Sequence, residues 1–505
     1  MVFSSSIFLF AFLPITLAGY YVVPSRFKNL FLLLASLFFY AWGEPKFVFV
    51  MMGSILANWF FGILVEALKR QGRIAATRAS MVLMLAFNIG LFFVFKYLTF
   101  SLNQINHFFG LALEGPNFLL PIGISFFTFQ AISYVIDVYR GNAEVQKNPL
   151  NTALYIALFP QLIAGPIVRY QTIATEINVR SFKLEDFSRG IRRFIMGLAK
   201  KVIVANQMAA VADLAFTGFD PSATTVLMVW LGLVCYTLQI YFDFSGYSDM
   251  AIGLGLMFGF HFNENFNHPY VSRSVTEFWR RWHISLGTWF RDYVYFPLGG
   301  SRVKSKARLV LNLFIVWSLT GIWHGASWNF LFWGLFYFVL LTGEKLTGIT
   351  QRLEGHRILR QLYRAATLLF VMIGWVFFRS EGMGKSLEYL GSLFGLIPTP
   401  LFDSDALYFL SQNAVVLIIA IIGATPLVIN LCRRIAARAG IDPLSLAPLV
   451  SQAAGEEALA AAQPRPTALG YAVSVAAFVL SIGLLLVSMA SLVSATFNPF
   501  IYFNF

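Results

Sequence analysis

Of the 505 residues, 58% are hydrophobic and only 12% are charged. A soluble domain usually has about a quarter charged residues, so this composition excludes a water-soluble globular protein and predicts a multi-pass membrane protein. The formal charge of +13 does not indicate nucleic acid, because the basic residues lie in short clusters between apolar runs, where orientation signals are found. We therefore expect membrane lipid around the chain and no nucleic acid among its partners.

Several common sites have no sequence signature here. Only Cys235 and Cys432 occur, which predicts neither a disulfide framework nor a Cys/His metal site. His261 and His268 are seven residues apart around an Asn-rich stretch, a spacing that does not match a zinc site. No P-loop, GxGxxG, HExxH or GxSxG motif is present. Nucleotide hydrolysis, zinc proteolysis and serine hydrolysis are therefore not supported, and no bound metal is expected.

Apolar runs recur along the whole chain, and a membrane span needs about 20 residues. In chain order they are 3–23, 27–42, 46–68, 79–100, 117–137, 150–168, 191–216, 223–260, 307–341, 362–379, 408–431 and 468–493. The runs 223–260 and 307–341 exceed one span and are each predicted to contain two helices or a broken one. We expect an all-α polytopic membrane protein with about 11–12 transmembrane helices, plus re-entrant or interfacial helices around a central cavity.

The chain is predicted to form a single domain over 1–505. The Ala- and Pro-rich stretch at 433–467 is predicted to be a flexible cytoplasmic linker, and the last span follows at 468–493. Basic clusters at 302–308 and 345–364 are both assigned to the cytoplasm. The run between them must therefore enter the membrane and return.

His324 lies near the middle of that returning run, between two glycines in GIWHGASWNF. Ionisable residues at membrane depth usually face a cavity or a pathway, which predicts a functional imidazole near a helix break. A structural alternative is an interhelical hydrogen bond, which polar side chains in membranes make routinely.

His283 lies in an amphipathic, aromatic stretch at 277–299, which we expect to lie at the interface or to re-enter the membrane. Arg280 and Arg281 flank it together with tryptophans. One interpretation is an interfacial anchor. The other is that these residues form a polar wall of the cavity that contains His324.

Asp243 and Asp249 occur inside an apolar run, in IYFDFSGYSDMAIGLG, with Ser245 between them. They could line an aqueous path, relay protons or orient a histidine. The alternative is that both acids are solvated in a loop between two spans.

Taken together, several motifs resemble the membrane-bound O-acyltransferase family, and within it the bacterial alginate-acetylating branch. They are FSSSIFLFAFLP, LPIGISFFTFQAISYVIDVYRG, FPQLIAGPIVR, YFDFSGYSDMAIGLGLMFGF, ENFNHPY, TEFWRRWHISLGTWFRDYVYFPLGG, GIWHGASWNF and NPFIYFNF. The resemblance covers essentially the whole chain. It implies that His324 is the family's signature histidine and that His283 is its second polar position.

The resemblance also implies an enzyme that transfers an acyl group, here acetyl, to a hydroxyl. It implies acetyl-CoA as a cytoplasmic donor, no permanently bound cofactor, and a place in the bacterial inner membrane. The acceptor would be an exported polysaccharide, of the alginate type first, or a periplasmic acetyltransferase that passes the group on. Cellulose and peptidoglycan remain alternative acceptors.

The chemistry of the residues fits this reaction. A hydroxyl needs a base to take its proton, and imidazole suits that task near neutral pH, so we assign it to His324. His283 would stabilise the oxyanion or orient the donor carbonyl, and Trp323 and Asn329 are further candidates for the substrate channel. A proton-coupled transporter, in which Asp243 would carry protons, and a non-catalytic secretion scaffold remain open as other classes.

Overall fold

A computed structural model describes residues 1–116, 118–441, 467–494 and 501. The structure is 77% helical, and the described residues contain no strand. They form two compact units, Met1–Phe194 with Met250–Asn263, and Ile195–Asp249 with Glu264–Phe505. The predicted all-α class is thus confirmed, whereas the single domain over 1–505 stays a prediction.

The first half of the chain contributes helices α1 to α12. They are α1 Leu13–Val22, α2 Lys28–Gly43, α3 Phe47–Arg70, α4 Ile74–Lys96, α5 Leu98–Phe109, α6 Ile124–Arg140, α7 Pro149–Ala157, α8 Phe159–Leu162, α9 Tyr170–Asn178, α10 Leu184–Ala199, α11 Asn206–Phe216 and α12 Val226–Met257. A π-helical turn, Lys200–Ala205, joins α10 to α11, and another, Phe8–Phe12, precedes α1.

The second half contributes α13 to α22. They are α13 Val275–Arg281, α14 Ile284–Phe290, α15 Lys306–His324, α16 Trp328–Thr347, α17 Ile349–Arg352, α18 Arg357–Arg379, α19 Met383–Leu393, α20 Ser404–Gly423, α21 Leu427–Ala439 and α22 Ala468–Ser494. A π-helical turn, Arg291–Tyr295, follows α14. The predicted linker at 433–467 begins within α21, and its residues 442–466 lie outside the described part of the chain.

Within the described ranges, nine helices are long and apolar enough to cross a membrane. They are Phe47–Arg70, Ile74–Lys96, Leu184–Phe216, Val226–Met257, Lys306–His324, Trp328–Thr347, Arg357–Arg379, Ser404–Gly423 and Ala468–Ser494, and Phe8–Val22 is a shorter apolar helix. The chain is therefore a multi-pass membrane protein. Ala468–Ser494 coincides with the predicted last span.

The two longest apolar runs behave differently. The 307–341 run breaks after His324 and resumes at Trp328, as predicted. The 223–260 run does not break: α12 is one continuous helix of 32 residues, so the prediction of two helices or a broken one was wrong. Its central glycine, Gly246, serves close packing rather than a turn, because a Cβ there would lie 2.7 Å from the carbonyl oxygen of Gly197.

Polar pairs also tie helices together inside the first unit. Asn58 of α3 and Asn88 of α4 are buried and exchange amide hydrogen bonds of 3.0 and 2.8 Å. His261 Nδ1 lies 2.6 Å from an oxygen of Glu176, and this contact raises the pKa of that imidazole. His261 thus has a protein partner that accounts for its place.

Candidate functional site

The α15–α16 turn places His324 as the last residue of α15. Gly321 and Gly334 allow the two helices to pack in close contact. A Cβ at Gly321 would lie 2.4 Å from the carbonyl oxygen of Phe330, and a Cβ at Gly334 would lie 2.3 Å from that of Trp317. Ser327 is the N-cap of α16, because its side-chain oxygen accepts a hydrogen bond from the backbone N–H of Asn329. The small residues around the histidine therefore set a tight helical hairpin with the imidazole at its bend.

Four aromatic rings surround His324, which is 5% exposed. Its ring centroid lies 4.8 Å from Trp323, 4.9 Å from Trp333, 5.1 Å from Phe378 and 6.4 Å from Phe330. Three of these contacts are close to perpendicular, the geometry that aromatic pairs prefer. The aromatic wall fixes the ring plane and keeps bulk water from the imidazole.

His283 lies between α13 and α14 with a backbone φ of 45°, in the left-handed region that non-glycine residues rarely adopt. It is 2% exposed. Its ring meets Phe244 at right angles, 4.6 Å between centroids. The strained backbone aims this side chain inward and starts α14 at the next residue.

Asn265 determines which nitrogen of His283 carries the proton. Its Oδ1 lies 3.2 Å from His283 Nδ1 and accepts hydrogen bonds from the backbone N–H and the hydroxyl of Ser285, at 3.2 and 2.9 Å. Because this atom of the Asn265 amide accepts from a backbone N–H, it is the oxygen and not the nitrogen. Nδ1 of His283 must therefore be protonated and donate to it. Nε2 then keeps its lone pair. Burial lowers the pKa of His283 to about 3, so the ring is neutral at physiological pH.

Trp323 brings the two histidines together. Its ring centroid is 4.8 Å from that of His324 and 6.2 Å from that of His283. The structure thus gathers three of the predicted site residues into one aromatic cluster, although 41 positions separate the histidines in sequence. Asn265 and Phe244 complete it and were missed, because an Asn in a polar loop and a Phe in an apolar run carry no distinctive sequence signal.

The predicted acids of α12 are in ion pairs. Lys201 Nζ lies 2.7 Å from Asp243 Oδ1, with both side chains 2% exposed, and Lys200 Nζ lies 2.6 Å from Asp249 Oδ2. Lys201 also donates to Asn206 Oδ1 at 2.9 Å. The alternative interpretation, a loop with two solvated acids, was wrong, because lysines from the π-helical turn neutralise these carboxylates inside a continuous helix. Lys200 and Lys201 are adjacent in an apolar run, LAKKVIVA, and two lysines in such a run were the sequence feature that could have indicated buried ion pairs.

Two of the remaining candidates, Asn329 and Arg281, have structural partners. The amide nitrogen of Asn329 contacts the carbonyl oxygens of Phe377 and Ser380, at 3.4 and 2.9 Å, so its hydrogens tie α16 to the end of α18. Arg281 pairs with Glu277 at 2.8 Å. Arg280 is exposed.

Ser245 lies beside Asp243 in α12. Its hydroxyl is buried and has no hydrogen-bond partner among the described residues. The polar wall predicted for the two arginines and the aqueous path predicted for Ser245 stay predictions.

Comparison with known proteins places this chain in a family. A model of the membrane-bound O-acyltransferase family matches residues 144–381, a range that contains both histidines. The chain is similar to the probable alginate O-acetylase AlgI of Azotobacter vinelandii, with 39% identity over the full length of both proteins. It is 44% identical to the probable alginate O-acetylase AlgI of Pseudomonas aeruginosa, over 78% of this chain and 75% of that one. The peptidoglycan O-acetyltransferase of Helicobacter pylori is 35% identical, over 78% of this chain and 80% of that protein.

Proposed function

The chain belongs to the membrane-bound O-acyltransferase family and is an O-acyltransferase, and we propose that it transfers acetyl groups for the O-acetylation of an exported polysaccharide, of the alginate type. One observation carries the proposal: two buried histidines that are far apart in sequence flank one tryptophan ring. The similarity to two probable alginate O-acetylases over most of the chain supports the substrate.

In this proposal His324 is the general base. As the acceptor hydroxyl attacks the acetyl carbonyl, the imidazole takes the hydroxyl proton, the carbon–oxygen bond forms and the carbon–sulfur bond of a thioester breaks. The proton then passes to the departing thiolate, so the imidazole returns to its neutral state. Base catalysis of this kind contributes about 10²–10⁴ in rate, and the aromatic wall supports it by excluding water.

The geometry favours a role for His283 that differs from oxyanion stabilisation. An oxyanion needs a hydrogen-bond donor, but the Nδ1 proton of this ring is directed to Asn265, and Nε2 offers a lone pair. We assign His283 as an acceptor that orients a substrate O–H or N–H group. A low pKa suits this task, since a protonated ring would lose its acceptor.

The donor and the direction of transfer are part of the same proposal. Acetyl-CoA is charged and cytoplasmic, whereas an exported polysaccharide lies beyond a hydrocarbon layer about 30 Å thick. A buried imidazole at the bend of the α15–α16 hairpin would let acetyl pass between substrates that approach from opposite faces of the bacterial inner membrane. The hydroxyl can belong to the sugar or to a periplasmic acetyltransferase, because the same base activates either.

The test is acetyl transfer by purified protein in sealed vesicles with labelled acetyl-CoA on one side and oligosaccharide acceptors on the other. We expect labelled ester on mannuronate oligosaccharides, and none with the His324→Gln variant. Label on peptidoglycan fragments alone would reassign the acceptor. Equal labelling by the His324→Gln variant would refute the mechanism.

A further inference from the structure

We propose that Glu344 is a positioning residue of this enzyme: its buried carboxylate fixes the start of α13, the helix that leads to His283. The inference rests on the proposed role of His283 in acetyl transfer. Glu344 is 6% exposed and lies near the end of the apolar helix α16. A carboxylate buried there is expensive unless hydrogen bonds compensate it, so its contacts show what it is for.

Four hydrogen bonds converge on this carboxylate. Oε1 accepts from the backbone N–H of Val275 at 2.7 Å and from the hydroxyl of Tyr363 at 2.7 Å. Oε2 accepts from the backbone N–H and the hydroxyl of Thr276, at 2.8 and 2.5 Å. These are charge-assisted bonds, about twice as strong as neutral ones. Glu344 therefore satisfies the first two N–H groups of α13, and its negative charge suits the positive end of the helix.

The next N–H group of α13 is also occupied. Ser274 accepts from the backbone N–H of Glu277 at 3.1 Å, which is a local N-cap of the usual kind. Thus α13 has its own cap in Ser274 and a second cap in Glu344 of α16. Glu344 is 69 positions from Val275 and 68 from Thr276 in sequence. A local cap would be enough to begin the helix, so the distant carboxylate must do more: it attaches α13 to α16.

A second contact fixes the middle of α13. The ring of Trp279 lies 4.8 Å from Tyr337 and 5.5 Å from Trp333, both in α16, and Trp333 in turn contacts the ring of His324. With its start bonded to Glu344 and its middle packed on α16, this seven-residue helix has little freedom to shift. His283 follows its end by two residues, so the clamp sets the position of His283 relative to the α15–α16 hairpin.

The size of the expected effect follows from this geometry. Misplacement of a reacting group by about 1 Å can cost about 10²-fold in rate. In Glu344→Gln the shape is kept, but one oxygen becomes an NH₂ group that faces N–H donors. We expect kcat to fall about 10- to 100-fold, with KM changed less than threefold and the protein present at normal abundance.

The decisive measurement is a double-mutant cycle with His283→Gln, using acetyl transfer by purified protein. If Glu344 acts through His283, its substitution has little further effect once His283 is gone, and the losses are strongly non-additive. Glu277→Gln is the matched control: it removes a carboxylate from α13 itself, on the half-exposed side that pairs with Arg281. We expect it to change kcat less than twofold.

Several outcomes would overturn the inference. They are unchanged kcat in Glu344→Gln, losses that multiply fully with those of His283→Gln, or a lower yield of protein whose kcat is normal. If Glu344→Gln does not accumulate, Tyr363→Phe removes one of the four bonds and keeps the carboxylate. It should lower kcat by a few-fold, and unchanged kcat there would also refute the inference. Normal activity of His324→Gln would instead refute the proposed function, so the two failures are distinguishable.

Discussion

Two regions of the second unit bury polar side chains in opposite ways. In α12, Asp243 and Asp249 each face a lysine from the π-helical turn, so each charge is neutralised within 3 Å. At the α15–α16 bend, His324 packs against aromatic rings instead. A buried charge must be paired, whereas an imidazole can be buried in its neutral form at a lower cost. The first arrangement uses its polar groups to stabilise the structure, and the second is the one to which we assign the chemistry.

The difference also bears on the other function classes. A transporter that moved protons on these acids would need carboxylates whose protonation is readily reversed. Both oxygens of Asp243 have structural partners instead, Lys201 at 2.7 Å and the backbone N–H of Ile501 at 2.9 Å, which favours a structural role. A non-catalytic scaffold would leave the strained backbone and the selected tautomer of His283 without a purpose.

The largest expected effect is at the bend. His324→Gln should lower acetyl transfer by about 10²–10⁴, because glutamine can hydrogen bond but cannot take a proton at neutral pH. Protein abundance should stay normal, since hydrogen bonds between membrane helices average only about 0.6 kcal/mol. The measurement is ester formation per mole of purified protein. His356→Gln, at an exposed histidine before α18, is the control and should be fully active. A merely structural histidine would give the reverse: normal turnover and reduced abundance.

The buried ion pair should show the opposite pattern. Lys201→Met leaves Asp243 without its counter-ion, which typically costs about 3–5 kcal/mol, so we expect lower abundance and a lower unfolding temperature in detergent. The double variant Lys201→Met with Asp243→Leu removes both charges and should recover most of the loss. Activity per folded molecule should remain near normal. A stable Lys201→Met protein without activity would assign this pair to catalysis. It would contradict the distinction between a structural ion pair in α12 and a chemical site at the α15–α16 bend.

A smaller effect is expected at Asn265. Its oxygen holds His283 in one tautomer through a bond of 3.2 Å, and a net hydrogen bond contributes about 0.5–1.5 kcal/mol. Asn265→Ala should therefore lower kcat/KM up to about tenfold. Ser285→Ala is the comparison variant, because it leaves this bond in place. Equal losses in both variants would show that the loop's packing, and not the tautomer, matters.

The smallest effect is expected at the second ion pair. The side chains of Lys200 and Asp249 are 20% and 12% exposed, so water partly replaces a lost partner. Lys200→Met should cost about 1 kcal/mol, measured as a shift in unfolding temperature beside that of Lys201→Met. A loss as large as that of Lys201→Met would mean that burial does not separate the two pairs.

The sequence alone determined the membrane environment, the all-α class, the helix break at His324 and the family, because each of these is written in local composition or in contiguous motifs. Tertiary structure decided which residues are partners. Lys201 and Asp243 are 42 positions apart, and Asn265 and His283 are 18 apart. No periodicity encodes such pairs.

The prediction of a broken α12 was wrong for the same reason. Two acids in an apolar run suggest a loop as long as the lysines that neutralise them are unknown, because a buried helix tolerates a charge only when a counter-ion is nearby. Glu344 follows the same rule: its place in α16 makes sense only through the helix start that it holds. Local sequence shows that a buried charge exists, and only the folded chain shows what compensates it.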